Sequence, residues 1–509
     1  VEPPYAERHV RWCERLGPSG PRLLDFIRRR GSPLDSGRLL VPDLPLHSGA
    51  VMEDSMVDIA GKRVYVENLG CAKNQVDAEV MVNELVEAGC SVVDMAEDAD
   101  IILVNTCGFI ESAREESVNT FFALRQQYPE AKVIMTGCLS QRYGKELEQE
   151  LVEADGIFGN RDLSHITTLV RRVYAGERAI DLPAYPPITE ESDKRGKLFN
   201  FPGTAYLKIS EGCNHRCRYC AIPVIRGPLR SRSFDAVVEE ARRLVATGIV
   251  ELNLIAQDLA AFGTDDGSGS SRFIELLQAL VAIEGDFRIR MLYIHPDAFP
   301  SELPEFVKDN PKVLPYFDIP FQHAHPDVLR PMGRLGDRET YLKLVESIRA
   351  TLPNATLRST FMLGFTGESA DTVAELKRFV SEAQLDWVGS FTYSREEGTP
   401  AYKDRTEAEH KAIGKKAAKW QKELEAIQEP ITTNRLQRFV GTTQPVLIEE
   451  LVEGEDLAIG RTPHQAPEVD GLTVVMGRNL VVGTIVECGI ARVNGIDLEA
   501  IPVKREVVL

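Results

Sequence analysis

The sequence predicts an α/β protein in three parts. These are an N-terminal parallel α/β domain over residues 60–181, a central partial (β/α)6 barrel with trailing helices over 204–437, and a small all-β domain over 438–509. Three observations predict it. Short apolar runs alternate with amphipathic helical stretches through the first two parts, the pattern of βαβ units and parallel sheets. The Pro-rich polar stretch LPAYPPITEESDKRGKLFNFPG, residues 182–203, separates them as a linker. From about residue 438 the chain changes to short β-like runs with Gly and Asn turns.

The bulk numbers bound the function. At 509 residues the chain exceeds one ordinary core. Its 43% hydrophobic and 27% charged residues are ordinary for a globular protein. No apolar run is long enough to span a bilayer and no segment looks like a signal peptide, so neither membrane nor secretion is expected. Nine cysteines, an odd count in a large acidic chain, suggest reduced thiols and a cytoplasmic location. The net charge of −18 makes a poor general polyanion binder and suits a basic partner better.

Taken in order, residues 1–55 are rich in Pro, Gly and Arg without sustained period, and read as a disordered extension. Met52 and Met56 precede the first good strand, so residues 1–51 are expected to be dispensable for activity. RVYVENLGC, DIILVNTCGF and KVIMTGC read as three strands ending in Cys71, Cys107 and Cys138, each followed by a helical stretch. The second series offers six strands: TAYLKIS, VELNLIAQ, FRIRMLYI, YFDIPFQ, TLRSTFMLGF and WVGSFTYS. Helical patterns such as SFDAVVEEARRLVATG lie between them, which suggests a barrel or partial barrel. Residues 404–437 are charged and helical. QPVLIEEL, LTVVM, VVGTIVEC and DLEAIPV supply the strands of the last part.

Six of the nine cysteines fall into two sets. In a parallel sheet of right-handed βαβ units all strand carboxyl ends lie on one edge, where ligand sites form. Cys71, Cys107 and Cys138 stand at three such ends and could meet there. A single buried Cys is more often a small hydrophobe, but three in equivalent places favour a metal or cluster site. The second set, Cys213, Cys217 and Cys220, sits in EGCNHRCRYC. Its spacing also fits one face of a helix, but Gly212, Asn214 and Pro223 argue against one. Structural zinc takes four protein ligands, and a fourth is not evident, although His215 is near. Three thiolates suit a four-iron cluster with one iron left open.

CNHRCRYC resembles the cluster motif of the radical S-adenosylmethionine enzymes. With CAIPVIRGPLRSR, LGCAKNQVDAE, NTCGFIESA and TGCLSQRYG, the chain from residue 63 onward is similar to the methylthiotransferases of that superfamily. The resemblance implies two [4Fe-4S] clusters, one on each cysteine set, and S-adenosylmethionine bound by the open iron of the 213/217/220 cluster. It also implies a TIM-like radical-SAM barrel in the centre and an OB-like TRAM domain at the end. An electron donor of the flavodoxin or ferredoxin type follows from the chemistry. Cys13, Cys90 and Cys488 are left without a role.

The remaining site residues follow from strand ends and from that resemblance. Tyr219 is placed to pack on adenine. Gln257 and Asp258 are placed for the ribose or methionine moiety, with an ordinary polar turn as the alternative. Arg358, Thr360, Gly364 and Glu368 match family positions near the cofactor. Asp318, Gln322 and His323 in FDIPFQHAHPD are candidates for facing the substrate; His325 departs from the small residue expected there.

Two branches of the family remain. One modifies an adenosine of transfer RNA; the other modifies the β-carbon of an aspartate in protein twelve of the small ribosomal subunit. LGCAKNQVDAE and GRTPHQAPEVDG resemble the second branch. Residues 435–509 hold seven Lys and Arg against eleven Asp and Glu, with Phe439 the single Phe, Tyr or Trp. RNA binding needs a basic face and exposed aromatics, so RNA is not favoured and a basic ribosomal protein is the expected partner. The reaction implied is hydrogen abstraction by a 5′-deoxyadenosyl radical followed by methylthio transfer. A cluster protein for electron transfer, or a zinc-stabilised binding module, would explain the cysteines but not six βα units.

Overall fold

The computed structural model describes residues 57–185 and 195–503, and the extension over 1–55 lies outside them, as does most of the linker's first half. The chain divides into two compact units, one comprising 57–185 with 195–197, the other 198–503.

The first unit is a parallel α/β domain. Strands β1 (Arg63–Asn68), β2 (Ser91–Val92), β3 (Ile101–Thr106), β4 (Lys132–Gly137), β5 (Gly156–Phe158) and β6 (Ala179–Asp181) form one sheet in the order β2-β1-β3-β4-β5-β6. All pairings are parallel. Central β3 is buried along its whole length, as its unbroken apolar run requires. Helices α1 (Ala72–Glu87), α2 (Glu111–Gln127), α3 (Cys138–Glu150) and α4 (Ile166–Tyr174) connect the strands. Strands β2, β5 and β6 add to the three predicted ones; each is only two or three residues long, too short to show a period.

In the second unit β7 (Thr204–Lys208) leads into a small antiparallel pair, β8 (Ser210–Glu211) and β9 (Arg230–Ser231). Strands β10 (Glu251–Ile255), β11 (Arg288–Leu292), β12 (Val313–Asp318), β13 (Thr356–Leu363) and β14 (Trp387–Thr392) follow β7 in chain order, each parallel to the last. These six strands are the predicted partial barrel. Alternation sorts their side chains. Leu252 and Leu254 of β10 join the apolar core that includes Val237, Ala241 and Leu277 of the helices. Glu251 and Asn253 turn to the other face, where Arg290 and Tyr316 are also fully buried. One long helix, α5 (Glu407–Leu436), runs beside β14 and bonds to it through Gln421 Nε2 to Ser390 O (3.0 Å).

The C-terminal part is a closed barrel of β15 (Thr443–Leu451), β16 (Leu457–Arg461), β17 (Thr473–Met476), β18 (Ile485–Asn494) and β19 (Asp497–Pro502). Strand β16 was not among the predicted runs, since LAIGR ends in an arginine that reads as surface. That arginine is instead buried. Arg461 Nη1 bonds Glu251 Oε1 at 2.9 Å and its Nε bonds Glu449 Oε1 at 2.7 Å. Glu251 also receives Arg288 Nε at 2.6 Å and Arg290 Nη2 at 3.2 Å. Glu251 and Arg288 open their strands, so the small barrel packs at the amino-terminal end of the large one. Among the described residues no helix is long and apolar enough to cross a membrane.

Candidate cluster and cofactor site

At the carboxyl end of β7 the chain enters the second cysteine set through a buried charge cluster. Glu211 Oε2 accepts from Lys208 Nζ (3.0 Å) and Arg226 Nη1 (2.8 Å), and Oε1 accepts from Gln257 Nε2 (3.3 Å). Burial pushes this carboxyl up, but the Arg226 and Lys208 charges outweigh it and hold it far below its usual range. Gly212 follows at φ +73°, and a Cβ there would lie 2.0 Å from Pro228 O, so only glycine fits this turn.

The cysteine segment is not helical, as Gly212, Asn214 and Pro223 predicted. It is tied on both sides. Cys213 N donates to Gly227 O (3.1 Å), and Asn214 Oδ1 accepts from Leu229 N (3.0 Å). Arg218 N donates to Met332 O (2.9 Å), and its guanidinium bonds Asp404 Oδ1 (2.6 Å). Cys220 N closes a turn onto Cys217 O at 3.1 Å. Burial pushes Cys213 up to about 11 and Cys220 up to about 12. In both, the Cys217 charge adds to the rise.

His215 is drawn away from the thiols. Its Nε2 donates to Asp258 Oδ2 at 2.7 Å, and its ring stacks on His295 with centroids 4.0 Å apart and 13° between planes. The other oxygen of Asp258 accepts from His295 N (3.0 Å) and Ala260 N (3.1 Å). His295 Nδ1 accepts from Asp297 N (3.3 Å), which leaves the ring proton on Nε2, 4.0 Å from Cys217 Sγ. Burial, with Arg334 and His215 beside it, pushes His295 down to about 2, so the ring is neutral. Among the described residues no three His, Cys, Asp or Glu side chains close on a single metal ion. Three thiols on one tied loop, with the neighbouring histidine committed elsewhere, fit a cluster, whose ligands bind separate irons.

The other predicted residues sort into pairs. Arg358 Nη1 bonds Asp318 Oδ1 (3.0 Å) and Thr360 Oγ1 (3.3 Å). Glu368 accepts from Gly364 N and lies 3.5 Å from His323 Nε2. His323 is wholly buried behind Glu368, and its Nδ1 accepts from His325 N (3.0 Å). Gln322 has φ +68° and donates its backbone N–H to Thr360 O at 2.9 Å. Tyr219 meets none of these. Its phenol accepts from Arg334 Nη1 (3.0 Å) and its ring stands edge-on to Phe365 at 6.0 Å. His215, His295, Glu211 and Arg334 were not singled out as site residues in the sequence. A Glu two residues before the first cysteine, in EGC, was the visible signal for one of them.

The first cysteine set belongs to the other unit. Cys71 precedes α1, Cys107 follows β3, and Cys138 opens α3. Asn74, one turn into α1, donates to Asn105 O (3.4 Å) and Thr106 O (3.3 Å), and its Oδ1 lies 3.7 Å from Cys138 Sγ. Gly108 lies so close that a Cβ would be 2.7 Å from the Cys138 carbonyl. Asn160 Nδ2 donates to Cys138 Sγ at 3.3 Å. Asn74 thus ties the Cys71 turn to the loops carrying Cys107 and Cys138. Two of the three thiols stand at helix amino ends, Cys71 before α1 and Cys138 opening α3.

Comparison with known proteins agrees with this geometry. Residues 63–159 match the uncharacterized protein family UPF0004, 207–380 the radical SAM superfamily and 440–503 the TRAM domain. The chain is 40% identical over 467 residues to the ribosomal protein uS12 methylthiotransferase RimO of Treponema denticola, covering 85% of this chain and 99% of the relative. The RimO of Syntrophomonas wolfei is 42% identical over 438 residues, covering 85% and 98%. A solved radical S-adenosylmethionine methyltransferase, TsrM from Kitasatospora setae with cobalamin and a [4Fe-4S] cluster bound, superposes with a TM-score of 0.50 at 15% identity. It covers 67% of this chain and 77% of that one, a likeness of fold.

Proposed function

The chain belongs to the RimO family of radical S-adenosylmethionine methylthiotransferases, and from that membership we propose that it methylthiolates the β-carbon of an aspartate in ribosomal protein uS12, in the cytoplasm. The observation that carries the chemistry is the tied loop of Cys213, Cys217 and Cys220, whose near histidine is committed to Asp258. We assign [4Fe-4S] clusters to both cysteine sets. When bound, the second, with S-adenosylmethionine, supplies the radical that opens the substrate C–H bond, and the first supplies the route for sulfur.

The chain's own residues then have definable tasks. Cys213, Cys217 and Cys220 hold the cluster from one loop and leave one iron for the cofactor. Asp258 fixes that loop by joining it to the turns after β10 and β11. Glu211 keeps Lys208 and Arg226 paired beside it, so neither cation is buried without a counter-charge. Arg358, Thr360, Gln257, Gly364 and Glu368 line the cofactor side, with Asp318 and Gln322 toward the substrate. An exchangeable flavodoxin or ferredoxin delivers electrons. The acidic excess of residues 435–509 suits a basic ribosomal protein.

The test is an anaerobic assay of cluster-reconstituted protein with reductant, sulfide and S-adenosylmethionine. The uS12 loop peptide and unmodified transfer RNA are offered in parallel and read by mass spectrometry. Methylthio replaces hydrogen in the peptide and not in the RNA, and Cys213→Ala abolishes it. Modified RNA beside untouched peptide would overturn the substrate and leave the chemistry.

A further inference from the structure

The motif GRTPHQAPEVDG, used above only as a branch marker, forms the connection between β16 and β17, and its residues 461–467 are all buried. The connection is rigid. Gln465 Oε1 accepts from Thr462 N (3.0 Å), Thr462 Oγ1 (3.1 Å) and Thr473 Oγ1 (2.7 Å). It is also locked into the large barrel. Arg290 Nη1 donates to Pro463 O (2.8 Å), Trp387 Nε1 to His464 O (2.8 Å), and Thr356 Oγ1 bonds His464 Nδ1 (2.8 Å).

At its end stands Asp470. Its Oδ2 accepts from Tyr316 Oη (2.6 Å) and Ala466 N (2.8 Å). Its Oδ1 faces Arg358 Nε at 3.4 Å, and neither of those two atoms has a hydrogen-bond partner among the described residues. The same guanidinium gives Nη1 to Asp318 and Thr360. A guanidinium is a rigid planar fork, so a charge held on its Nε edge determines where the Nη groups point. In a buried setting that attraction is weakly screened.

We propose that Asp470, carried by the C-terminal barrel, is a positioning residue that sets the direction of Arg358 and through it the binding of S-adenosylmethionine. The proposal rests on the reading of Arg358 and Thr360 as cofactor-facing. On this view the C-terminal module forms part of the floor of the reaction chamber. If Asp470 were only interface glue, it would behave like Glu449, which pairs with Arg461 at the same junction.

The experiment uses full-length, cluster-reconstituted protein and reads two quantities, the Kd for S-adenosylmethionine and the thermal midpoint. Asp470→Asn keeps the shape and removes the charge, and weakens S-adenosylmethionine binding about tenfold. Tyr316→Phe, which removes only the phenol bond, weakens it about threefold and decides the matter if the first variant does not fold. Asp470→Glu restores part of the loss. Glu449→Gln lowers the midpoint and leaves Kd where it was. An unchanged Kd in folded Asp470→Asn or Tyr316→Phe would overturn the proposal. No ribosomal substrate is present, so an error in the proposed substrate would not produce that result.

Discussion

Asp258 joins three stretches of chain with one carboxylate: the cysteine loop through His215, its own turn through Ala260 N, and the turn after β11 through His295 N. Removing it strands two buried N–H groups and unfastens His215. Asp258→Ala is expected to cost about 3 kcal/mol of stability, and the reconstituted protein retains less iron and acid-labile sulfide per chain. Iron content equal to wild type would remove Asp258 from this role. The cysteines themselves were legible because their spacing is short and specific. The partners that hold the loop were not, because His295 and Arg334 lie 75 or more residues from Cys220 in sequence and only the sheet brings them close. His323 shows the converse. It was conspicuous in sequence, and the fold buries it against Glu368.

At the scale of elements, period and length decided what could be read. All six strands of the partial barrel showed as apolar runs, while two-residue pairings such as β8 with β9 carry no period. Strand β16 was hidden by its terminal arginine, whose burial depends on a glutamate 210 residues away. Helix α5 announced itself by charge and by its start. Thr406 and Glu409 form a capping box, with Thr406 Oγ1 accepting from Glu409 N (3.3 Å) and Glu409 Oε2 accepting from Thr406 N (2.8 Å). Thr406→Ala is expected to lower stability by about 1 kcal/mol. Urea unfolding checks this, and a loss below a few tenths would show the cap to be redundant.

Across the second unit, buried acids paired with arginines set the response to pH. Burial pushes Glu251 up, but Arg290, Arg461 and Arg288 outweigh it and hold it well below its usual range. A depressed carboxyl supplies stability above its unfolded pKa of about 4.3 and loses it as pH falls toward the folded value. Calorimetry is therefore expected to show the thermal midpoint falling more steeply from pH 5 to pH 3, on the order of a few degrees, in wild type than in Glu251→Gln. Equal slopes would mean that Glu251 is not a source of the acid sensitivity. At neutral pH the same variant costs about 3–5 kcal/mol, because it leaves buried arginines uncompensated.

The junction at Glu251 also bears on inheritance. Two of its three arginines belong to the large barrel and the third to the small one. A graft that exchanged the C-terminal module for another of the same fold would bring its own residue opposite Glu251, and any residue but a cation would leave a buried charge short of its counterpart. The two barrels can therefore change partners in evolution or in the laboratory only when both sides of this contact change together.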